Sequence, residues 1–405
     1  MHLGHSRFAA AHCALALLAL GGLTRPSELV GQQQAIPIRR LAPTIATSIE
    51  PVSDVSSIRA LDDGRVLVND PRRRSVLLFD STLQHALVVA DTTSATANAY
   101  GAGLIGLTRF TGDSSLLEDQ TTGAFVVMSA DGRVARIIAA PGNARPLVGL
   151  PGNTPRFFDQ TSHLVFAAPP TIFLSLLARE FVGDTLMRGP DSSAILRRDI
   201  VTRRIDTIAM LKAPRIRQAV TRRVNGGSGR AAFNPIPSSD DWTVLNDGTL
   251  AVIRVSDYHV DWIRPDGRMT SSPAIPTPSA RLTDSMKVAI IDSVRANDLR
   301  AGIGRDDAAL PLAQRRVYVE PADLPDYKPP FISGFARSDA RGNVWVRANT
   351  PADAAVVYEV INRNGVVIDR VEIPAGTTIL GFGPGAVYLL SRTSAGTRLS
   401  KAVLQ

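Results

Sequence analysis

Residues 241–269 read DWTVLNDGTLAVIRVSDYHVDWIRPDGRM, with apolar residues alternating in three short runs at 242–245, 249–255 and 258–263. Alternation with a period of two is the pattern of a strand that buries one face. The turns Asn246-Asp247-Gly248 and Pro265-Asp266-Gly267 follow two of these runs. An Asp-Gly pair favours a tight hairpin, because glycine accepts the positive φ of such turns. The stretch therefore predicts three antiparallel strands, with a fourth after Arg268.

The same pattern recurs along the chain as further units of short strands. With the opening stretch as the fourth unit, we expect the others at residues 58–89, 104–138, 157–210, 331–373 and 378–404. The first strand of the fifth unit is expected at residues 331–336. Repeats at a spacing of about 50–60 residues are typical of propeller blades.

The sequence thus predicts an all-β fold, a six-bladed β-propeller of four-stranded blades over residues 44–405. Only three strands fit into the last unit, and residues 44–52 can supply the missing one. That closure would leave no open edge between the first and last units. Seven blades are the main alternative, because residues 157–210, with an apolar insert at 172–181, are long enough to hold further strands.

Two stretches interrupt the repeats, at residues 212–239 and 281–330. The first contains Asn225-Gly226-Gly227-Ser228-Gly229 and predicts a long exposed loop. The second predicts a short helix near 284–299 that begins after Thr283 or Asp284, since either residue can cap a helix. Four apolar residues would form its buried face: Met286, Ala289, Ile290 and Val294.

The N-terminus predicts an export signal at residues 1–31, followed by an extended leader at 32–43. His2, His5 and Arg7 precede an apolar run at residues 8–20, which is too short to span a bilayer comfortably. An uncleaved anchor and a lipid attached to Cys13 are the weaker alternatives. We therefore expect a periplasmic or extracellular protein. Without Cys13 the mature chain has no cysteine, so its stability would depend on core burial and topology.

Composition limits the classes of partner. The chain has 405 residues, of which 44% are hydrophobic and 20% charged, as in globular proteins. Its net charge of +8 comes mostly from scattered arginines, and no basic face is interleaved with aromatic residues. We therefore expect no nucleic-acid partner. No stretch after the signal is apolar enough to cross a membrane.

The first unit resembles the NHL type of propeller repeat. Asp63 and Gly64 form a turn that opens a short strand ending near Asp70, and the next strand ends in Phe79-Asp80. The chain is thus similar to exported bacterial six-bladed propellers of unassigned role. The resemblance implies blades and no particular chemistry. NHL repeats usually carry an arginine where this chain has Ser75, with Arg74 one position earlier.

No catalytic, metal-binding or cofactor-binding signature is recognised in the sequence. The mature chain has three histidines, His85, His163 and His259, which are far apart and are expected to be isolated strand residues. Three pairs of adjacent acids are interpreted as turn or surface residues, because Asp favours turns. These pairs are Asp62-Asp63, Asp240-Asp241 and Asp306-Asp307. The three tryptophans, Trp242, Trp262 and Trp345, are expected to pack in the core.

The candidate ligand-binding residues are arginines within the 212–230 segment. They are Arg215, Arg217, Arg222, Arg223 and Arg230. Guanidinium groups suit carboxylate, phosphate or sulfated-sugar partners. A solvated surface loop in an arginine-rich protein is the competing interpretation.

The favoured functional hypothesis is an exported propeller that binds or scaffolds a protein, peptide or glycan, without enzymatic activity. The alternative is a metal-assisted hydrolase, lactonase or lyase with its ligands at the propeller axis. This alternative rests on what similar propellers do, and a fold alone does not determine function.

Overall fold

The computed structural model contains 28 strands and one α-helix among the residues it describes. Those residues are 36–55, 57–92, 104–119, 124–138, 156–158, 163–167, 182–199, 201–202, 204–214, 217–224, 226–351, 354–393 and 396–404. The expected signal at 1–31 and the apolar insert at 172–181 lie outside them. No helix of the described part is long and apolar enough to cross a membrane.

The chain begins with two strands that join later sheets, β1 (Ile38–Arg40) and β2 (Thr44–Thr47). The first sheet then consists of β3 (Ser57–Ala60), β4 (Val66–Asp70), β5 (Ser75–Phe79) and β6 (Ala86–Ala90). The second consists of β7 (Leu104–Arg109), β8 (Ser115–Asp119), β9 (Phe125–Met128) and β10 (Val134–Ile138). Both are antiparallel and follow chain order.

The third sheet pairs β11 (Arg156–Phe158), β12 (His163–Ala167), β14 (Ser192–Asp199) and β15 (Ile205–Lys212). An insertion sheet is formed by β13 (Gly183–Arg188), β16 (Arg217–Arg223) and β17 (Gly226–Ala231). The fourth sheet is β18 (Asp241–Val244), β19 (Leu250–Arg254), β20 (His259–Ile263) and β21 (Met269–Ser271). These last four strands confirm the prediction made from residues 241–269.

The fifth sheet is β22 (Arg337–Ser338), β23 (Val344–Arg347), β24 (Val356–Ile361) and β25 (Val367–Ile373). The sixth joins β26 (Thr377–Gly383), β27 (Ala386–Thr393) and β28 (Gly396–Val403) to β2, which pairs antiparallel with β28. The N-terminal stretch therefore completes the last sheet, as the strand count predicted. The leader differs from expectation, because β1 pairs in parallel with β25 as a fifth strand.

The first strands of successive sheets contact one another in a cycle. Strand β3 contacts β7, which contacts β11, and the series continues through β18, β22 and β26 back to β3. Buried apolar clusters fill the space between neighbouring sheets in the same cyclic order. Phe79 of the first sheet and Tyr388 of the sixth share one of them. Four-stranded antiparallel sheets arranged in this way confirm an all-β fold of the propeller type.

Helix α1 (Asp284–Arg300) confirms the predicted helical insertion, and the Thr283 side chain accepts the Met286 N–H at 3.3 Å as its N-cap. The expected buried face is only partly correct: Ile290 packs partly buried against an apolar cluster, but the buried residues are Lys287 and Ile291, and Met286 is 45% exposed. Ile291 packs in an apolar cluster with Val319 and Leu324, and Lys287 Nζ lies 2.6 Å from Asp326 Oδ1. This ion pair offsets the cost of burying an ammonium group.

Segment 212–239 is not simply a loop, because it contains β16 and β17. In chain order, β13 lies between β12 and β14, the second and third strands of the third sheet. Strands β16 and β17 and helix α1 lie in connections from the fourth strand of one sheet to the first strand of the next. In an antiparallel four-stranded sheet these two kinds of connection leave at the same end. The insertions therefore gather at one end of the third and fourth sheets.

Gly365 should be among the most sensitive turn positions. Its φ is +75°, and an added Cβ would lie 2.1 Å from Ser272 Cβ, in the chain after β21. Gly267 occupies the corresponding turn of the fourth sheet with φ +85°, and nothing lies within 4 Å of an added Cβ. We expect Gly267→Ala to lower the free energy of unfolding by about 1 kcal/mol through backbone strain. Gly365→Ala should cost about 1–3 kcal/mol more through overpacking.

Urea denaturation of the two variants and the unmodified chain measures this difference. Equal losses for the two variants would contradict the close packing between the fourth and fifth sheets.

Candidate functional site

A cavity of about 810 Å³ opens beside the turn between β19 and β20, at the end where the insertions gather. Its walls include residues 255–258 of that turn, Lys212 at the end of β15, and insertion residues 323–330. A smaller cavity of about 370 Å³ adjoins it and shares Asp191, Lys212, Ser256 and Asp257. Large concave sites of this kind are the usual place for a ligand.

Asp240 joins the elements that form one wall of this cavity. Its carboxylate accepts the N–H groups of Lys212 and Val255, each at 2.9 Å, and lies 2.9 Å from Arg254 Nη1. Arg254 Nε also donates to Asp261 Oδ2 at 2.7 Å. Burial disfavours the charge of Arg254, but the hydrogen bonds to Asp261 and Asp240 outweigh it and raise the pKa of Arg254. The ends of β15 and β19 are thereby joined to each other and to the middle of β20.

Asp241 anchors the chain that leads into the fifth sheet. Its Oδ2 accepts three successive backbone N–H groups, from Gly334 at 2.9 Å, Phe335 at 3.1 Å and Ala336 at 2.8 Å. The carboxyl is buried, and burial raises its pKa although the backbone donors oppose the shift. The expected strand at 331–336 is wrong, because these N–H groups turn towards Asp241 and the first strand starts at Arg337.

The interpretation of the acid pairs as turn or surface residues needs one correction. Asp62 and Asp63 are exposed in a turn, as expected. Asp240 and Asp241, by contrast, are 8% and 3% exposed. Backbone N–H groups and Arg254 bind these two carboxyl groups and offset the free-energy cost of burying them.

Tyr258 forms part of the cavity wall in an unusual backbone conformation. Its φ is +42°, in the left-handed region that few bulky residues adopt, and the residue is 2% exposed. The hydroxyl donates to Glu359 Oε2 at 2.5 Å, and Glu359 Oε1 accepts from Arg370 Nη2 at 2.7 Å. Burial, with the nearby Glu359 carboxylate, raises the pKa of Tyr258 well above its usual 10.0. The ring is thus held between the fourth and fifth sheets.

His259 lies beside the smaller cavity, between two carboxylates. Its Nδ1 is 2.8 Å from Asp257 Oδ1 and its Nε2 is 3.2 Å from Asp261 Oδ1. His163 is in the third sheet, with Nε2 3.7 Å from Asp199 Oδ2, and His85 immediately precedes β6. The three histidines are therefore on three different sheets. Among the described residues, no group of three or more His, Cys, Asp or Glu side chains is placed to hold a metal ion.

The candidate arginines are spread over the insertion sheet. Arg217 faces Glu320 and Asp323, with Nη1 2.7 Å from Glu320 Oε1 and Nε 2.5 Å from Asp323 Oδ2. These contacts hold β16 to the segment that lines the cavity. Arg230 Nη1 donates to the Gln314 carbonyl at 3.3 Å, and Arg222 and Arg223 end β16. Arg215 lies outside the described residues, and anion binding by these arginines stays a prediction.

All three tryptophans pack in the core, as predicted: Trp242, Trp262 and Trp345 are 3%, 5% and 2% exposed.

Sequence reasoning missed Lys212, Arg254 and Tyr258 as parts of a site. The strand pattern could have indicated their positions, because Lys212 ends β15, Arg254 ends β19 and Tyr258 lies in the turn that follows β19. The repeat pattern located the insertions at residues 212–239 and 281–330, but it did not indicate how they fold around these three residues.

Comparisons with known proteins found propeller-type structures at low similarity. No protein-family model and no curated protein matches the chain. A gluconolactonase from Xanthomonas campestris is 11% identical, with a TM-score of 0.38, and the match covers 91% of this chain and 99% of that one. A virginiamycin B lyase from Staphylococcus aureus is 10% identical, with a TM-score of 0.36, over 88% and 98% of the two chains. At these values the likeness assigns no activity to this chain.

Replacing Tyr258 by phenylalanine tests the buried hydroxyl. Loss of a hydrogen bond to a charged acceptor should lower the free energy of unfolding by about 1–3 kcal/mol. Since the pKa of Tyr258 is higher in the folded state than its unfolded value of 10.0, the unfolded state releases the proton first. The unmodified protein should therefore lose stability as the pH rises above 10.0, and Tyr258→Phe should lose less.

Chemical denaturation between pH 8 and pH 11 provides the measurement. Tyr327→Phe is the matched control, because Tyr327 lines the same cavity but is 53% exposed. Equal effects of the two substitutions would show that the Tyr258 hydroxyl contributes nothing to stability.

Proposed function

We propose that this chain is an exported binding protein, an NHL-like six-bladed propeller that holds a glycan in the cavity beside its fourth sheet. The observation that carries the proposal is the lining of that cavity. An exposed tyrosine ring and short polar side chains from several segments converge there. Six sheets, each with four antiparallel strands and the fifth with β1 added in parallel, support the blade number, since their first strands touch in a cycle. The repeat motif of the first sheet supports the NHL likeness.

The polar groups of the cavity suit a ligand rich in hydroxyl groups. Ser256, Asp257 and Lys212 are exposed on one side, and Asn234 and Ser238 contribute from the chain after β17. Together they offer donors and acceptors in several directions, as a sugar ring requires. A few placed polar groups on a concave wall give orientation and specificity to a small ligand.

Tyr327 gives the cavity a flat surface at its rim. The residue is 53% exposed and neighbours Pro329 and Pro330, which also line the cavity. The C–H face of a pyranose can stack on such a ring while its hydroxyl groups remain hydrogen-bonded. Stacking and convergent hydrogen bonds favour a glycan over a purely ionic ligand.

The wall is held in place before any ligand arrives. Asp240, Arg254 and Asp261 are joined by ion pairs of 2.7–2.9 Å, and Tyr258 is fixed by Glu359. A preformed site loses less conformational entropy on binding. We therefore expect the affinity to depend on the rim residues that meet the ligand, and not on rearrangement of the wall.

A glycan array followed by calorimetry on the best hit tests the proposal. Tyr327→Ala and Asp257→Ala should each weaken binding at least tenfold, which corresponds to about 1.4 kcal/mol. Met269→Ala is the control, since Met269 is 58% exposed on β21 and does not line the cavity. Absence of any glycan ligand, or binding that survives both rim substitutions, would contradict the proposal.

The same samples address the competing function, a metal-assisted hydrolase, lactonase or lyase. Each glycan hit and a panel of aldonolactones are incubated with the protein and Ca²⁺, Zn²⁺ or Mn²⁺, with EDTA as the control. Our proposal expects the ligand to be recovered unchanged. Metal-dependent turnover would replace binding with catalysis as the function.

We also propose that residues 1–31 direct export and are then removed. Mass spectrometry of the protein recovered from the periplasm or the medium should find an N-terminus close to Gln32. Recovery of the full-length chain from the cytoplasm alone would contradict export.

A further inference from the structure

The insertion sheet ends in an open strand edge. Its strand order is β13-β16-β17, so among the strands of the described residues β17 has a neighbour on one side only. Residues 227–231 of this strand are all exposed. An exposed edge strand is a template for pairing with another extended chain, unless the protein covers it.

The register identifies the backbone groups that face outward. The Ala232 N–H donates to the Arg217 carbonyl at 2.7 Å, and β16 and β17 pair without a register shift. In an antiparallel pair the residues alternate between bonding their neighbour and facing away from it. Ser228 and Arg230 therefore bond to β16. The backbone groups of Gly227, Gly229 and Ala231 point towards the open edge.

The protein already adds a segment to this edge, one position further along. The Phe233 N–H donates to the Val317 carbonyl at 2.7 Å, and the Val319 N–H donates to the Phe233 carbonyl at 3.1 Å. Phe233 has the same outward parity as Ala231, since strand parity repeats every two residues. The edge thus accepts an added chain at Phe233, and within the described part of the chain this pairing does not extend to Ala231.

Arginines surround the open part of the edge. Arg230 and Arg223 are exposed, and both lie on the same face of the sheet by their register. On the other face, Arg222 Cγ would lie 3.7 Å from a Cβ added at Gly227, so this side chain lies against the glycine. The exposed guanidinium groups of Arg223 and Arg230 would attract carboxylate side chains that a docked strand presents on their face.

We propose that β17 is the docking edge for an extended, acidic peptide segment of another protein. The partner adds a strand through backbone hydrogen bonds to Gly227, Gly229 and Ala231. Its Glu or Asp side chains stand at every second position, on the face that carries Arg223 and Arg230. This is recognition by β-strand addition, at a surface separate from the glycan cavity.

Fluorescence anisotropy with two labelled heptapeptides tests the proposal. The acidic probe alternates Glu and Val, and the basic probe replaces each Glu by Lys. We expect the acidic probe to bind and the basic probe to bind at least tenfold more weakly. Equal binding of both probes would overturn the charge argument.

Backbone pairing is tested with a matched pair of variants. Gly229→Pro removes one outward N–H while leaving the bonds to β16 intact, because proline is tolerated on strand edges. Gly229→Ala keeps the N–H. The proline variant should bind the acidic probe at least tenfold more weakly than the alanine variant. If the two bind equally well, docking at this edge is excluded.

Charge reversal provides an independent test that does not depend on how well the proline variant folds. Arg223→Glu combined with Arg230→Glu should abolish the preference for the acidic probe. The control is Arg264→Glu combined with Arg268→Glu, two exposed arginines at the turn between β20 and β21 with the same change in net charge. An equal loss in both double variants would mean that net charge alone attracts the probe, and would overturn the proposal.

Discussion

Two adjacent buried carboxyl groups, those of Asp240 and Asp241, join the third, fourth and fifth sheets beside the cavity. Asp240 accepts backbone N–H groups from the end of the third sheet and from the fourth-sheet turn. Asp241 accepts three successive N–H groups from the chain that enters the fifth sheet. A buried charge costs several kcal/mol unless it is paired or hydrogen-bonded. The local backbone must therefore supply donors, and its path is set by that requirement.

This constraint explains why the candidate site lies where it does. The insertions leave the third and fourth sheets at one end, and the buried acids tie their first and last residues to strand ends. The Arg217 ion pairs with Glu320 and Asp323 fix β16 against the opposite wall. A cavity remains between them because irregular connections cannot fill the space as closely as two facing sheets do. The regular sheets supply stability, and the insertions supply the shape of the site.

Much of the fold could be predicted from local patterns, because strand alternation and Asp-Gly turns are properties of a few neighbouring residues. The strands β18 to β21, the closure by β2 and the Thr283 cap of α1 all followed from such patterns. What failed depended on distant partners. Asp240-Asp241 resembles a turn until its N–H donors, up to 95 residues away, are known. Similarly, Gly226-Gly227-Ser228-Gly229 resembles a loop, and only pairing with β16 makes it a strand.

The candidate site was less predictable than the fold for the same reason. Its residues come from separate segments, and neither Lys212 nor Tyr258 carries a recognisable motif.

Native-state hydrogen exchange at the amides of Gly334, Phe335 and Ala336 tests the central claim most directly. If Asp241 holds this irregular segment, these amides should exchange as slowly as the strand amide of Val252, through near-global unfolding. Exchange several orders of magnitude faster than that of Val252 would contradict the account.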